Sequence, residues 1–484
     1  MTKINEAVVE NTAKRCRERG VLIPTFSQQM HPELVPQKVK SKLPGIGLWD
    51  LNPLNLFRIS WKNDVKTGLY GDVNVVEIPR ELTGVNARIV GMVGKYFPTG
   101  AHKVGAAFGC LVPRLVTGEF DPSTQKAVWP STGNYCRGGA FDCALLDTTA
   151  VAILPEGMSK ERFEWLKEIG AEVIATPGCE SNVKEIYDKC WDIKKNRKDC
   201  VIFNQFEEFG NSAWHYHVTG NAAEEAFKKV KGTNGRLAGY VSATGSAGTI
   251  SAGDYLRKIY PSVRVAATEA LQCPTLLSNG FGDHRIEGIG DKHIPWVHNV
   301  RNTNAVIAID DESTMRILRL FNEEAGRKVL AQNGISPRVI ELLPLLGISG
   351  ICNLLASIKM AKYFEFDQDD VIITMFTDSA EMYQSRLLEL AYSHGPYGEI
   401  QAAIDLERYL RGVGTDNMKE LGYQDQKALH NLKYFTWVEQ QGKTAEELRQ
   451  LWSPSFWDEK FSQMNEWDSL IEKFNERTGV LKNL

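Results

Sequence analysis

ARIVGMVGKYFPTGAHKVGAAFG, residues 87–109, changes its period in the middle. The first seven residues are an apolar, β-branched run that reads as a buried strand. Pro98, Thr99 and Gly100 interrupt it. A pattern of small residues with helical spacing then opens at Lys103. A surface lysine has no need of glycine and alanine around it, whereas one that must meet a flat ligand does. Outward from this stretch the strand–loop–helix alternation recurs. KAVWP, TTAVAILP, AEVIATPG, LAGYVSA, VRVAATEA, NAVIAI and DVIITMF are further short apolar runs, separated by helix-like segments. Buried strands alternating with helices imply parallel α/β sheets.

The chain has 484 residues, more than one hydrophobic core usually serves. Four regions are expected: an irregular lead-in over 1–84, a smaller α/β domain over 85–205, a larger α/β domain over 206–395, and a helical extension over 396–484. The extension is rich in Trp and Phe, expected as core or dimer contacts. Net charge is −4, so no basic surplus points to nucleic acid or an anionic membrane. No apolar run is long enough to span a bilayer. The N-terminus mixes both charges and is not expected to be a secretory signal. Nine cysteines without a CxxC pair favour reduced thiols in the cytoplasm, and no histidine spacing suggests a metal.

Three loops after predicted strands could carry chemistry. SATGSAGTISAG (242–253) offers backbone N–H groups and hydroxyls at a helix start, which suits a phosphate and equally suits a tight turn. STGNYCRGGA (131–140) can grip a carboxylate or phenolic oxygen, or merely cap a helix. FTDSAEMY (376–383) puts Asp378 and Ser379 at a strand's carboxyl end, where doubly wound sheets bind ligands. With Lys103, the three together suit one ligand bearing a carbonyl, a phosphate, a phenol and a ring nitrogen: pyridoxal 5'-phosphate held as a Schiff base.

The chain resembles the fold-type II pyridoxal phosphate enzymes, specifically the cysteine synthase and cystathionine β-synthase group of the tryptophan synthase β superfamily. Eight segments carry the likeness in family order: PTGAHKVGAAFG, STGNYCRGG, AILPEGMSKERFEWLKEIGAEVIATPG, NQFEEFGNSAWHYHVTGNAAEE, GSAGT, HRIEGIGDKHIP, GISG and FTDSAEMY. The resemblance implies two open twisted parallel-type sheets flanked by helices. It implies that Lys103 forms the internal aldimine and then moves the substrate's α-proton. Asn134 would meet the phenolic oxygen, and Gly245, Ser246, Ala247, Gly248 and Thr249 the phosphate. Ser379 would face the ring nitrogen, preferred over Asp378 because its spacing to Tyr383 matches the family. Ser131, Thr132 and Gly133 would bind the substrate carboxylate, with Tyr135 and Gly288 bordering the substrate cleft. His102 would pack near the phosphate or serve as a core residue.

A neutral lysine is needed to attack an aldehyde, and burial lowers an amine's pKa. Gly100, Ala101, Gly105 and Ala106 would leave a flat slot for the ring. The expected activity is β-elimination or β-replacement, through an aminoacrylate, on a serine- or cysteine-type amino acid, with sulfide or another thiol as partner and a homodimer as the assembly. A tryptophan synthase β-like enzyme or a threonine/serine dehydratase is the alternative within catalysis. A cofactor-binding regulatory or scaffold protein is the alternative outside it. The chain departs from the family pattern at Tyr135, where a threonine is usual, at Ser246 and Ala247, and in an insertion over 327–346 expected beside the cleft.

Overall fold

The computed structural model describes residues 3–131, 133–178 and 183–484. Its strands, in chain order, are β1 (Asn63–Asp64), β2 (Leu69–Tyr70), β3 (Val75–Ile78), β4 (Arg88–Val93), β5 (Lys126–Pro130), β6 (Thr149–Pro155) and β7 (Glu172–Thr176). They continue with β8 (Cys200–Ile202), β9 (Arg236–Ala243), β10 (Arg264–Ala270), β11 (Ala305–Ile309), β12 (Asp370–Phe376) and β13 (Met418–Glu420). A seven-stranded sheet has the order β13-β11-β10-β9-β12-β4-β3, and a four-stranded sheet the order β7-β6-β5-β8. β1 and β2 form a separate antiparallel pair.

The four-stranded sheet is parallel throughout. In the larger sheet β11, β10, β9, β12 and β4 are parallel, and β13 and β3 close the two edges antiparallel. Inner strands such as β12 are buried at every position, because helices cover both faces, which is why their sequences are continuous apolar runs. The fold is therefore the expected pair of helix-flanked α/β sheets.

The division of the chain differs from the expected one in two ways. β4 opens the segment assigned to the smaller domain, yet it pairs with β12 in the seven-stranded sheet. The lead-in and the tail also each contribute an edge strand, β3 and β13. Parallel neighbours are joined by long crossovers, so chain order does not give sheet order.

The tail is packed onto the body. Helix Met464–Thr478 lies against helices Glu6–Arg19 and Lys103–Thr117. Asp468 accepts from the N–H groups of Phe26 and Ser27, and Asn475 bonds both backbone groups of Ile23. Trp437, Trp457 and Phe461 share a core cluster with Tyr187, Phe206, Tyr216 and Trp296. The tail's aromatic residues are thus largely intramolecular core. The insertion forms helices that pack against Glu399–Asp405, and it contributes nothing to the cavity described next.

Candidate active site

Both sheets reverse their strand order at an interior strand. From β5 the chain adds β6 and β7 on one side and β8 on the other; from β9 it adds β10 and β11 on one side and β12 on the other. Such a reversal splays the connecting segments and opens a crevice at the strands' carboxyl ends. Here both crevices feed one cavity. Ser131, Asn134 and Tyr135 follow β5, Gln205 and Phe206 follow β8, residues 245–249 follow β9, and Thr377 follows β12. Lys103, the first residue of helix Lys103–Thr117 after β4, enters the same space.

The Lys103 amine donates to Ser246 Oγ at 2.8 Å, and Asn211 Nδ2 donates to the same hydroxyl at 3.1 Å. Around that contact the backbone N–H groups of residues 245–249 have no acceptor among the described residues. Their loop leads into helix Ser251–Ile259. Ala247 is held at φ 58°, a left-handed setting that alanine adopts only under constraint. A side chain at Gly248 would place its Cβ 1.9 Å from Asn211 Oδ1, so the loop is pressed onto its support. Converging unpaired N–H groups beside a helix start and a lysine form an anion cradle.

His102 braces this loop from beneath. Its Nε2 lies 3.1 Å from Thr249 Oγ1, and its ring stacks on Trp61. Burial, with Lys103 adjacent, holds it neutral by lowering its pKa to about 3. It sits in a buried core, packed on Trp61 and His215, with Thr249 of the loop as its partner.

Behind Asn134 lies a buried polar network. Asn134 Nδ2 and the Tyr383 hydroxyl each donate to Asp378 Oδ2 at 2.7 Å. Arg162, from the helix after β6, donates to the Tyr383 hydroxyl at 2.9 Å and pairs with Glu287 at 3.2 Å. Arg386 holds the other Glu287 oxygen at 2.6 Å. Burial raises the Asp378 carboxyl, and Arg162 opposes that shift. The network ties the elements of one sheet to those of the other.

Lys103, Ser131, Asn134, Tyr135, Gly245, Ser246, Ala247, Thr249 and Gly288 line the cavity, and Gly248 lies in the same loop. Gly133 donates to Ser131 Oγ, and a Cβ there would meet Arg162 Nη1 at 2.0 Å. Thr132 lies outside the described residues. Two readings need correction. Ser379 lines a separate surface cavity with Pro98 and Trp165, because the chain turns after β12; Thr377 is the hydroxyl residue at that strand's end which reaches the Lys103 cavity. Gly105 does not open a slot for a ring: its Cβ would fall 2.0 Å from the Trp214 indole, so it serves helix packing. Tyr135 lines the cavity, and its hydroxyl has Cys110, Glu208 and Arg114 as electrostatic neighbours. Sequence reasoning also missed Asn211, Gln205 and Asp291 as site residues, although NQFEEFGN and GIGDKHIP lie in segments that carry the family likeness.

The sequence profile of the family "pyridoxal-phosphate dependent enzyme" matches residues 67–332, more than half of the chain. The chain belongs to this family. Cysteine synthase of Staphylococcus aureus is 29% identical over 321 residues, which cover 66% of this chain and 94% of that protein. A probable cysteine synthase of Bacillus subtilis is 28% identical over 319 residues, covering 66% and 94%. Among solved structures, the O-acetylserine dependent cystathionine β-synthase of Helicobacter pylori matches with TM-score 0.54 and 25% identity over 65% of this chain and 95% of that one. O-acetylserine sulfhydrylase isoform 3 of Entamoeba histolytica matches in fold, with TM-score 0.56, 23% identity, and coverage of 70% and 94%.

The residues present fit the cofactor of this pyridoxal phosphate-dependent enzyme. The loop over 245–249 supplies unpaired donors for a phosphate, and Lys103 supplies an amine for the aldehyde within reach of that loop. Asn134 Oδ1 is buried beside the cavity without a partner among the described residues.

Proposed function

We propose that this chain is a cysteine synthase-like enzyme that replaces the β-substituent of a serine-type amino acid, with O-acylated serine as donor and sulfide or another thiol as acceptor. The observation that carries the reading is the Lys103 amine at 2.8 Å from the hydroxyl of an otherwise unpaired N–H loop. The names of the relatives support the substrate class.

The residues divide the work. Residues 245–249 would hold the phosphate through backbone N–H groups. Ser131, Gly133 and their neighbours would receive the substrate carboxylate, and Asn134 would lie beside the cofactor's phenolic oxygen. Thr377 would stand at the ring-nitrogen end. When bound, pyridoxal phosphate supplies an electron sink that makes the substrate α-proton removable. Lys103 Nζ, as a neutral amine, would take that proton and later return one to the same carbon. Burial of the cavity between the two sheets keeps bulk water from the reacting carbons. A homodimer is part of the same proposal, and exposed Leu388, Tyr392, Ile400 and Ile404 on successive helices support it.

The test is to mix the loaded enzyme with O-acetylserine and sulfide and to measure cysteine and acetate. Equal release of both is expected. Acetate with pyruvate and no cysteine would convert the reading to elimination, and loaded enzyme that releases neither would end it.

A further inference from the structure

One wall of the Lys103 cavity is the turn that carries Gly288, Ile289 and Asp291. It is firmly held. Gly290 N–H donates to the Thr244 carbonyl, and the Gly290 carbonyl lies 3.1 Å from His284 Nε2. Beyond it, Trp437 Nε1 donates to the Ile294 carbonyl at 2.8 Å, and the Lys433 amine donates to the carbonyls of Trp296 and His298. The Asp291 side chain is only 6% exposed, lines the cavity, and keeps Oδ2 without a hydrogen-bond partner among the described residues. Asp378, by contrast, is met by Asn134 and Tyr383, and Asp142, a fully buried carboxyl whose two oxygens lack donors among the described residues, does not line the cavity. A buried, unpartnered carboxyl on a braced turn is costly unless a ligand meets it.

We propose that Asp291 is a catalytic acid–base residue for the incoming nucleophile: its carboxylate takes the proton of a neutral thiol or water as the sulfur or oxygen bonds the substrate β-carbon. This rests on the β-replacement reading. The X–H bond breaks and its electron pair forms the X–Cβ bond. The X proton passes to Asp291 Oδ2. The pair between Cα and Cβ moves to Cα, which takes a proton from the Lys103 ammonium. In the opposite direction the same carboxyl returns a proton to the departing group. Burial pushes the Asp291 carboxyl up to about 7, with Lys103 drawing it back, which suits a base working near neutral pH. The titratable groups facing it are Lys103, Tyr187 and Cys273, with His284 at the start of its own turn.

The experiment compares the wild type with Asp291→Asn, both loaded with pyridoxal phosphate. Stopped-flow absorbance separates departure of the β-substituent from addition of a nucleophile. Two nucleophiles are used: a neutral thiol and azide, which is already an anion at pH 7. Asp291→Asn is expected to load cofactor with unchanged affinity and to release acetate from O-acetylserine, which departs as an anion without a proton from Asp291, within about threefold of wild type. Thiol addition is expected to slow about 100-fold or more, and azide addition to change less than about threefold. Independently of turnover, infrared difference spectra of the unloaded wild type with [4-¹³C]aspartate should show a carboxyl titrating near pH 7 that Asp291→Asn lacks. Equal slowing of both nucleophiles, slowing of neither, failure of the variant to load cofactor, or no such carboxyl would each overturn the proposal. A loaded wild type that adds neither nucleophile would instead overturn the β-replacement reading, and this role with it.

Discussion

Two walls, the loop that lines the Lys103 cavity and the buried network that backs Asn134, are built on opposite principles. The loop over 245–249 leaves its backbone donors without acceptors among the described residues. By contrast, Asn134, Asp378, Tyr383, Arg162, Glu287 and Arg386 engage one another in a buried network. Unpaired donors are tolerated where a ligand will meet them, while paired ones fasten the two sheets together. The first wall is therefore read as binding machinery and the second as a clamp. Each reading fails differently when its residues are changed.

The largest expected effect is on the clamp. Arg162→Met leaves the buried Asp378 without its cation and Glu287 with Arg386 alone, and should destabilise the protein by about 3–5 kcal/mol in denaturant unfolding. A loss below about 1 kcal/mol would show that the network is not what joins the sheets. On the binding wall, Gly248→Val drives a side chain into Asn211. It should weaken pyridoxal phosphate binding about 100-fold, roughly 2.7 kcal/mol, with a smaller change in the Tm of the unloaded chain. Equal losses in both would erase the distinction between the walls.

The third expectation concerns acid. His102, His293 and His298 are each lowered to about 3 by burial. The unfolded chain takes up these protons below about pH 6.5, so the neutral rings stabilise the fold above that pH and this contribution is lost as pH falls toward 3. The slope should be about 1.4 kcal/mol per pH unit for each histidine. His102→Gln should remove one proton's worth, measured by urea unfolding between pH 6 and 4.5. An unchanged slope would mean that His102 is not held neutral. Smallest is the contrast at the end of β12. Thr377→Val should alter the bound cofactor's absorbance and weaken its binding about tenfold, whereas Ser379→Ala should change binding less than about twofold. The reverse order would restore Ser379 to the site.

The comparison also explains what could be read from residues alone. The apolar runs ending in Val93, Pro130, Ala243 and Phe376 announced strands because burial on both faces leaves no polar alternation. The loop over 245–249 was legible because what it offers lies in backbone and small residues that are contiguous in sequence. The clamp was not, because Arg162, Glu287 and Asp378 are joined only by folding. The place of β4 was hidden for the same reason, since pairing with β12 spans nearly the whole α/β region. Short edge strands such as β13 carry too few residues for a period. Gly105 misled because smallness serves a tight helix crossing as readily as a flat ligand.

The most direct measurement is borohydride reduction of the loaded protein, followed by peptide mass spectrometry. A single pyridoxyl group on the peptide containing Lys103, absent from Lys103→Ala, is the predicted result. A label on another lysine, or a loaded protein that takes up none, would contradict the assignment of this cavity as the active site.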